Sequence, residues 1–234
     1  MHAYAIKDPI FLALNRKGIE ETNGRLDQFC VQCHAPNASQ RGLLPVVESD
    51  GRFEMPVDLE NPLIANGVQC ISCHNVESVE ATQNARVVYS DSTHFGPTGS
   101  AAANEAHPMG ESPLFSDTFQ KNLMCGSCHD FVNPNGVRLD STFSTWYANE
   151  YNDPRNPIKH RTCQDCHMPE LDGSVVDDGP QQRIHSHYFV GVYQALLPGF
   201  PGRAEMARLA QDLLTDCAEL SVRYDGIDDE GNAV

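Results

Sequence analysis

A chain of 234 residues with 32 acidic and 16 basic side chains carries a formal charge of −16, which argues against nucleic acid as a partner and against adhesion to an anionic membrane. No run of apolar residues approaches the length that crosses a bilayer, so no transmembrane segment is expected. Hydrophobic content of 40 %, one tryptophan, 17 glycines and 15 prolines suit short helices and turns wrapped around something other than a large side-chain core.

The first element expected is a short helix. Asp8 and Pro9 stand as N-cap and first helical position, Ile10, Phe11, Leu14 and Asn15 follow, and Gly18 or Asn23-Gly24 should end it. Cys30-Val31-Gln32-Cys33-His34 comes next, the first of four CxxCH motifs. Between Ala35 and Gln69 the prolines at 36, 45, 56 and 62 point to a wrapping loop with little regular structure. The second motif is Cys70-Ile71-Ser72-Cys73-His74. A long interval holding His94 and His107 leads through an expected helical turn, 116–123, to Cys125-Gly126-Ser127-Cys128-His129. Asp140-Ser141-Thr142 should cap a short helix through Phe143, Trp146 and Tyr147, and Pro154 and Pro157 break the chain before His160 and the fourth motif, Cys163-Gln164-Asp165-Cys166-His167. Beyond it lie an acidic turn, 171–180, and a β-branched, aromatic stretch from Ile184 to Val190 that should be extended. A helix over 202–220 closes the series, with Met206, Leu209, Ala210, Leu213, Leu214 and Cys217 on one apolar stripe, followed by an acidic tail, 225–234. The first cysteines are 40, 55 and 38 residues apart and their flanks do not match, which excludes a solenoid or tandem array. We therefore expect a single domain over 1–234, mainly α with extensive irregular loops and little or no β-sheet.

In CxxCH, two cysteine sulfurs add to the vinyl groups of a haem and the adjoining imidazole reaches the iron, so each motif reads as a c-type haem attachment site. One copy also suits a zinc or thiol redox site. Four complete copies that use eight of nine cysteines point to four covalent haems c, and with 234 residues shared among them much of the interior should be porphyrin. The ninth cysteine, Cys217, is expected as a buried small hydrophobe. The motif histidines His34, His74, His129 and His167 supply one axial ligand each. Six others, His2, His94, His107, His160, His185 and His187, are candidates for four second positions, so bis-histidine iron at every site is the first choice. Methionines such as Met168 and Met206 are expected to pack. An iron with two protein ligands exchanges electrons only, whereas one with an open position can transform a small molecule. Met1-His2-Ala3-Tyr4 runs into Lys7, Asp8 and Pro9 without an apolar leader, and because covalent haem attachment takes place outside the cytoplasm, a mature or truncated form of an exported protein is expected.

Several stretches are familiar: Met1 to Tyr4 with Asp8 to Phe11, Phe29 to Pro36, Cys125 to Asp130, Thr142-Phe143 with Trp146, Thr162 to Pro169, and His185 to Val192. They resemble the multihaem cytochrome family that includes soluble tetrahaem electron carriers, and within it the small tetrahaem members that polymerise into extracellular nanowires. In longer relatives the C-terminal helix precedes a β-sandwich domain, and the present sequence stops where that domain would begin. The resemblance implies second ligands at His2, His107, His185 and His187, whereas His94 and His160 lack a counterpart and are expected at the surface or in hydrogen bonds. Side chains two apart on a strand face the same way, but one iron cannot take both His185 and His187, so they should serve different haems. The implied function is electron conduction along a head-to-tail homopolymer, outside the cell or at its surface, toward redox partner proteins or extracellular electron acceptors. Such a wire is expected to have a second ligand that crosses the subunit junction. His2 is the choice, since only Met1 precedes it, with His185 or His187 next; the alternative is that His2 serves its own subunit. Other readings are a monomeric periplasmic shuttle and a nitrite, hydroxylamine or sulfite reductase with one open haem. The surplus of histidines and four intact motifs weigh against the enzyme.

Overall fold

Asp8 begins the first helix as its sequence suggests: Oδ1 accepts from Ile10 N–H at 2.8 Å and Pro9 occupies the first turn, where its missing N–H costs nothing. The computed structural model describes residues 2–91, 94–96, 114, 115, 118, 122–174, 181–191, 199, 202–217, 221, 223, 229 and 230. The chain divides into two compact units, Met1–Phe189 and Val190–Val234.

In the first unit a 3-10 helix, His2–Lys7, precedes the helix Pro9–Glu21, which buries Phe11, Asn15 and Ile19 along one face. The helix passes Gly18 and stops where Asn23 and Gly24 adopt φ of 50° and 77°. Ile6, Phe11, Val31, Ala35, Ala38, Leu44 and Ile64 form a core around the first motif.

The stretch from Ala35 to Gln69 is more ordered than its prolines suggested. Pro36 and Pro62 each open a short helix, Pro36–Gln40 and Pro62–Ala65, while Pro45 and Pro56 flank a hairpin of Val47–Ser49 and Arg52–Glu54. Proline excludes the interior of a helix and not its first turn, and here it marks the start. Asp50 and Gly51, at φ of 52° and 74°, make the tight turn that such hairpins require.

All four motifs lie on short helices: Val31–His34, Cys70–His74, Leu123–Cys128 and Cys163–His167. Residues inside two of the motifs cap their own helix. Ser72 Oγ accepts from Gln69 N–H at 2.9 Å, and Asp165 Oδ2 accepts from Thr162 N–H at 2.6 Å while Thr162 Oγ1 accepts from Asp165 N–H at 3.2 Å. The second, third and fourth motifs each lead into an antiparallel ribbon: Val76–Val79 with Val87–Tyr89, Phe131–Val132 with Arg138–Asp140, and Glu170–Gly173 with Gln182–His185. A parallel pair, Phe95–Gly96 with Leu114–Phe115, completes the strands among the described residues. The helix-led, irregular fold is the one expected; of the ribbons only 184–185 falls in a stretch expected to be extended, 171–173 is strand where a turn was expected, and strands of two to four residues leave no readable alternation.

Part of the expected turn at 116–123 lies outside the described residues. The helix Thr142–Tyr147 is present, although its cap comes from Asp140, whose Oδ1 accepts from Thr142 N–H at 3.0 Å and Thr142 Oγ1–H at 2.7 Å. Trp146 stands beside Phe143, ring centroids 5.7 Å apart, and its indole N–H donates to Arg161 O at 2.8 Å, just ahead of the fourth motif.

In the second unit the helix Arg203–Asp216 starts from Gly202 and buries Met206 and Ala210. Its far end differs from expectation: Leu214 and Cys217 are exposed, so Cys217 is not a buried hydrophobe. The apolar stripe continues past the part of the helix that is covered. Residues 218–220 and most of 225–234 lie outside the described residues.

Candidate functional site

The motif helices are tied to one another by polar contacts. Ser72 Oγ donates to Asn37 Oδ1 at 3.2 Å, which joins the second motif to the helix after the first. The turn of the ribbon after the second motif clamps the third: Ala85 N–H donates to Ser127 O at 2.7 Å, Asn84 N–H to Asp130 O at 3.1 Å, and Val132 N–H to Asn84 Oδ1 at 2.9 Å. Asn122, at φ 58°, accepts from Cys163 N–H at 2.8 Å and links third to fourth. Asp130, 2 % exposed and adjacent to His129, accepts from Arg138 Nη1 at 3.0 Å, from Ser144 N–H at 3.2 Å and from the Ser144 hydroxyl.

The thiols follow the same geography. Cys33 of the first motif hydrogen-bonds with Cys128 of the third, and Cys125 of the third with Cys163 of the fourth. The shared hydrogen bond and then burial push Cys33 and Cys163 up, while burial, with Cys125, Cys128 and Cys70 nearby, pushes Cys73 up to about 12. Burial, with Cys128, Cys73 and Cys33 as neighbours, also pushes the Tyr89 phenol up. Thiols of three motifs therefore surround one tyrosine, and the third motif meets the first at one cysteine and the fourth at the other.

The histidines are held in a form suited to a metal. His34 Nδ1 faces Ala5 O at 3.1 Å and His74 Nδ1 faces Phe95 O at 2.8 Å. A carbonyl only accepts, so Nδ1 carries the proton and Nε2 is the unprotonated nitrogen, the form a metal ligand needs. Phe11 stacks flat on His34, centroids 3.7 Å apart at 8°. Two non-motif imidazoles lie beside motif imidazoles: His187 lies 6.3 Å from His74 at 33° between ring planes, and His2 lies 5.9 Å from His129 at 57°. Two imidazoles on opposite sides of one iron, with metal–nitrogen bonds of about 2 Å, hold their ring centres roughly 6 Å apart. Both pairs have the spacing that an iron between them requires, and the residues present fit the group.

His2 is half-buried in its own chain, with Nδ1 out of solvent. Burial, then His129, pushes it down to about 3, so it is neutral, as a ligand must be. Its carbonyl accepts from Val68 N–H at 3.2 Å, and Gly67 at φ 53° lets that loop approach, since a Cβ there would lie 2.9 Å from His2 O.

The remaining candidates divide. His185 ends its strand and His187 lies two residues beyond it; His185 Nδ1 donates to Met168 O at 2.8 Å and its Nε2 is 3.8 Å from Glu170 Oε1. Neighbours in sequence, they have different surroundings. His94, half-buried, donates from Nδ1 to Asn75 Oδ1 at 2.6 Å, and His160 is half-buried ahead of the fourth motif. His107 lies outside the described residues. Sequence reasoning missed the orienting groups. The carbonyls of Ala5, Phe95 and Met168 carry no sequence signal, whereas Phe11, on the buried face of a well-capped helix, was open to notice.

Four CxxCH helices held together, with imidazole tautomers set by backbone carbonyls and two pairs of neighbouring imidazoles, define a multihaem c-type cytochrome. The cytochrome c552 family profile matches residues 1–136, which hold the first three motifs, and the chain belongs to that family. No curated protein matches it. Its fold is similar to that of a penta-heme cytochrome c552 from Thermochromatium tepidum, with a TM-score of 0.54 and 23 % identity over 82 % of this chain; the chain spans 52 % of that protein's length.

Proposed function

We propose that the protein transfers electrons through four covalently bound haems c, attached at Cys30/Cys33, Cys70/Cys73, Cys125/Cys128 and Cys163/Cys166 and ligated on both faces by histidine. The observation that carries this reading is the presence of two pairs of neighbouring imidazoles, His74 with His187 and His2 with His129. Haem c, when bound, supplies an iron that takes up and returns one electron. The chain's own residues would do the rest: the motif cysteines would anchor the group, the imidazoles would hold its iron and keep small molecules from it, and the Ala5 and Phe95 carbonyls fix the orientation of the His34 and His74 rings. Cys33 beside Cys128, and Cys125 beside Cys163, would bring the groups attached at the first, third and fourth motifs close to one another.

The finer proposal, carried by the resemblance, is a head-to-tail polymer outside the cell. With His2 engaged in its own chain, the ligand proposed to cross the junction is His185, 39 % exposed and with its tautomer set by Met168 O. A heterologous contact that does not close generates a filament.

Spectroscopy of the oxidised protein tests the central reading. All four irons are expected to be low-spin, and His2→Ala and His187→Ala are each expected to turn one of the four high-spin. A high-spin iron in the unaltered protein would instead favour a reductase, and low-spin spectra unchanged by both substitutions would remove the pairing.

A further inference from the structure

Phe189 has no part in the ligand set, yet its ring touches both non-motif members of the imidazole pairs. It stands edge-on to His2, centroids 4.2 Å apart at 65°, and edge-on to His187, 5.7 Å apart at 85°. It does so from a backbone φ of +50°. That region crowds a side chain of this size, and such a conformation persists where the surroundings over-determine it.

The two imidazoles differ in what else restrains them. His187 hydrogen-bonds to the backbone of His185, a tie that fixes both tautomer and ring plane. His2 Nδ1 is buried with no hydrogen-bond partner among the described residues. Its backbone is fixed through Val68, but its ring lacks the carbonyl that orients His34, His74 and His185. For His2 the plane must be set by packing, and among the described residues Phe189 is the aromatic ring at closest approach to it.

We propose that Phe189 is the positioning residue that sets the plane of the His2 imidazole, and hence its angle of 57° to His129, while it merely supports His187. This rests on His2 and His129 sharing an iron, as proposed above. The angle between axial imidazole planes governs the anisotropy of a ferric low-spin signal. Near-parallel rings give a rhombic spectrum, and rings turned toward perpendicular give a single feature at large g. The His74/His187 pair at 33° therefore belongs on the rhombic side and the His2/His129 pair at 57° toward the other.

The experiment is EPR of the fully oxidised holoprotein. His2→Ala first identifies the signal that depends on His2; if no signal becomes high-spin, the pairing has failed and the result says so independently of Phe189. Phe189→Leu keeps apolar bulk without a flat ring. It is expected to shift or broaden that one feature while four low-spin irons remain and the other three signals stay in place. Phe189→Tyr restores the original spectrum, and Phe189→Gly, which relaxes the backbone, behaves like the leucine variant. A leucine spectrum that superimposes on the original, four signals moving together, or failure of tyrosine to restore would each overturn the proposal. Should the leucine variant not mature, NMR of the reduced protein with ring-labelled phenylalanine decides: the Phe189 protons show contacts to the rings of both His2 and His187, and their absence overturns it.

Discussion

Gly126 lies inside the third motif with the ring of Phe143 where a side chain would otherwise be: a Cβ there would sit 2.5, 2.6 and 2.9 Å from three atoms of that ring. Phe143 is buried and begins the helix that carries Trp146, so it has little room to yield. Gly126→Ala is therefore expected to destabilise the protein by about 1–3 kcal/mol through overpacking. Guanidinium unfolding measures this, and an unchanged midpoint would show that Phe143 moves freely. Single residues were also where the sequence spoke most plainly. The eight motif cysteines and four motif histidines stand out in the sequence because a CxxCH motif is contiguous in the chain. The partners of those histidines do not. His2 meets His129, and His187 meets His74, through folding that brings distant segments together, and nothing in their local spacing encodes which meets which.

At the level of elements, capping chemistry was the reliable guide. Asp8 caps the helix Pro9–Glu21 as its sequence suggests, and that helix lays Phe11 flat against His34. Asp8→Ala should cost about 1 kcal/mol. Thermal unfolding monitored in the visible region, where ligand loss registers, is the appropriate measurement; an unshifted transition would mean that the helix is held by packing alone. Prolines misled where they were taken as breakers, since Pro36 and Pro62 start helices. The ribbons after three of the motifs, 184–185 apart, are hidden in the sequence for a different reason. Their hydrogen bonds are made by the backbone, and their side chains are too few to reveal a period of two.

For the molecule as a whole, the cofactor count is the firmest expectation. Intact mass after denaturation should show four covalent haems, and fewer would mean that a motif is unused. The proposed polymer is tested at His185, which is partly exposed and, unlike His2 and His187, stands beside no motif imidazole in the ring contacts of the described residues. His185→Ala should abolish the proposed filaments in cryo-EM images of the purified protein while leaving His2 and its pair intact; filaments of ordinary length would exclude His185 as the link. The chain also carries its own reporter of integrity. Trp146 is its one tryptophan, packed on Phe143 and bonded to Arg161 between the third and fourth motifs. With haem bound at those motifs, its fluorescence should be quenched by energy transfer, with emission returning when that region comes apart. A single optical channel thus watches the stretch that joins two haem sites, without a dye and without disturbing an iron.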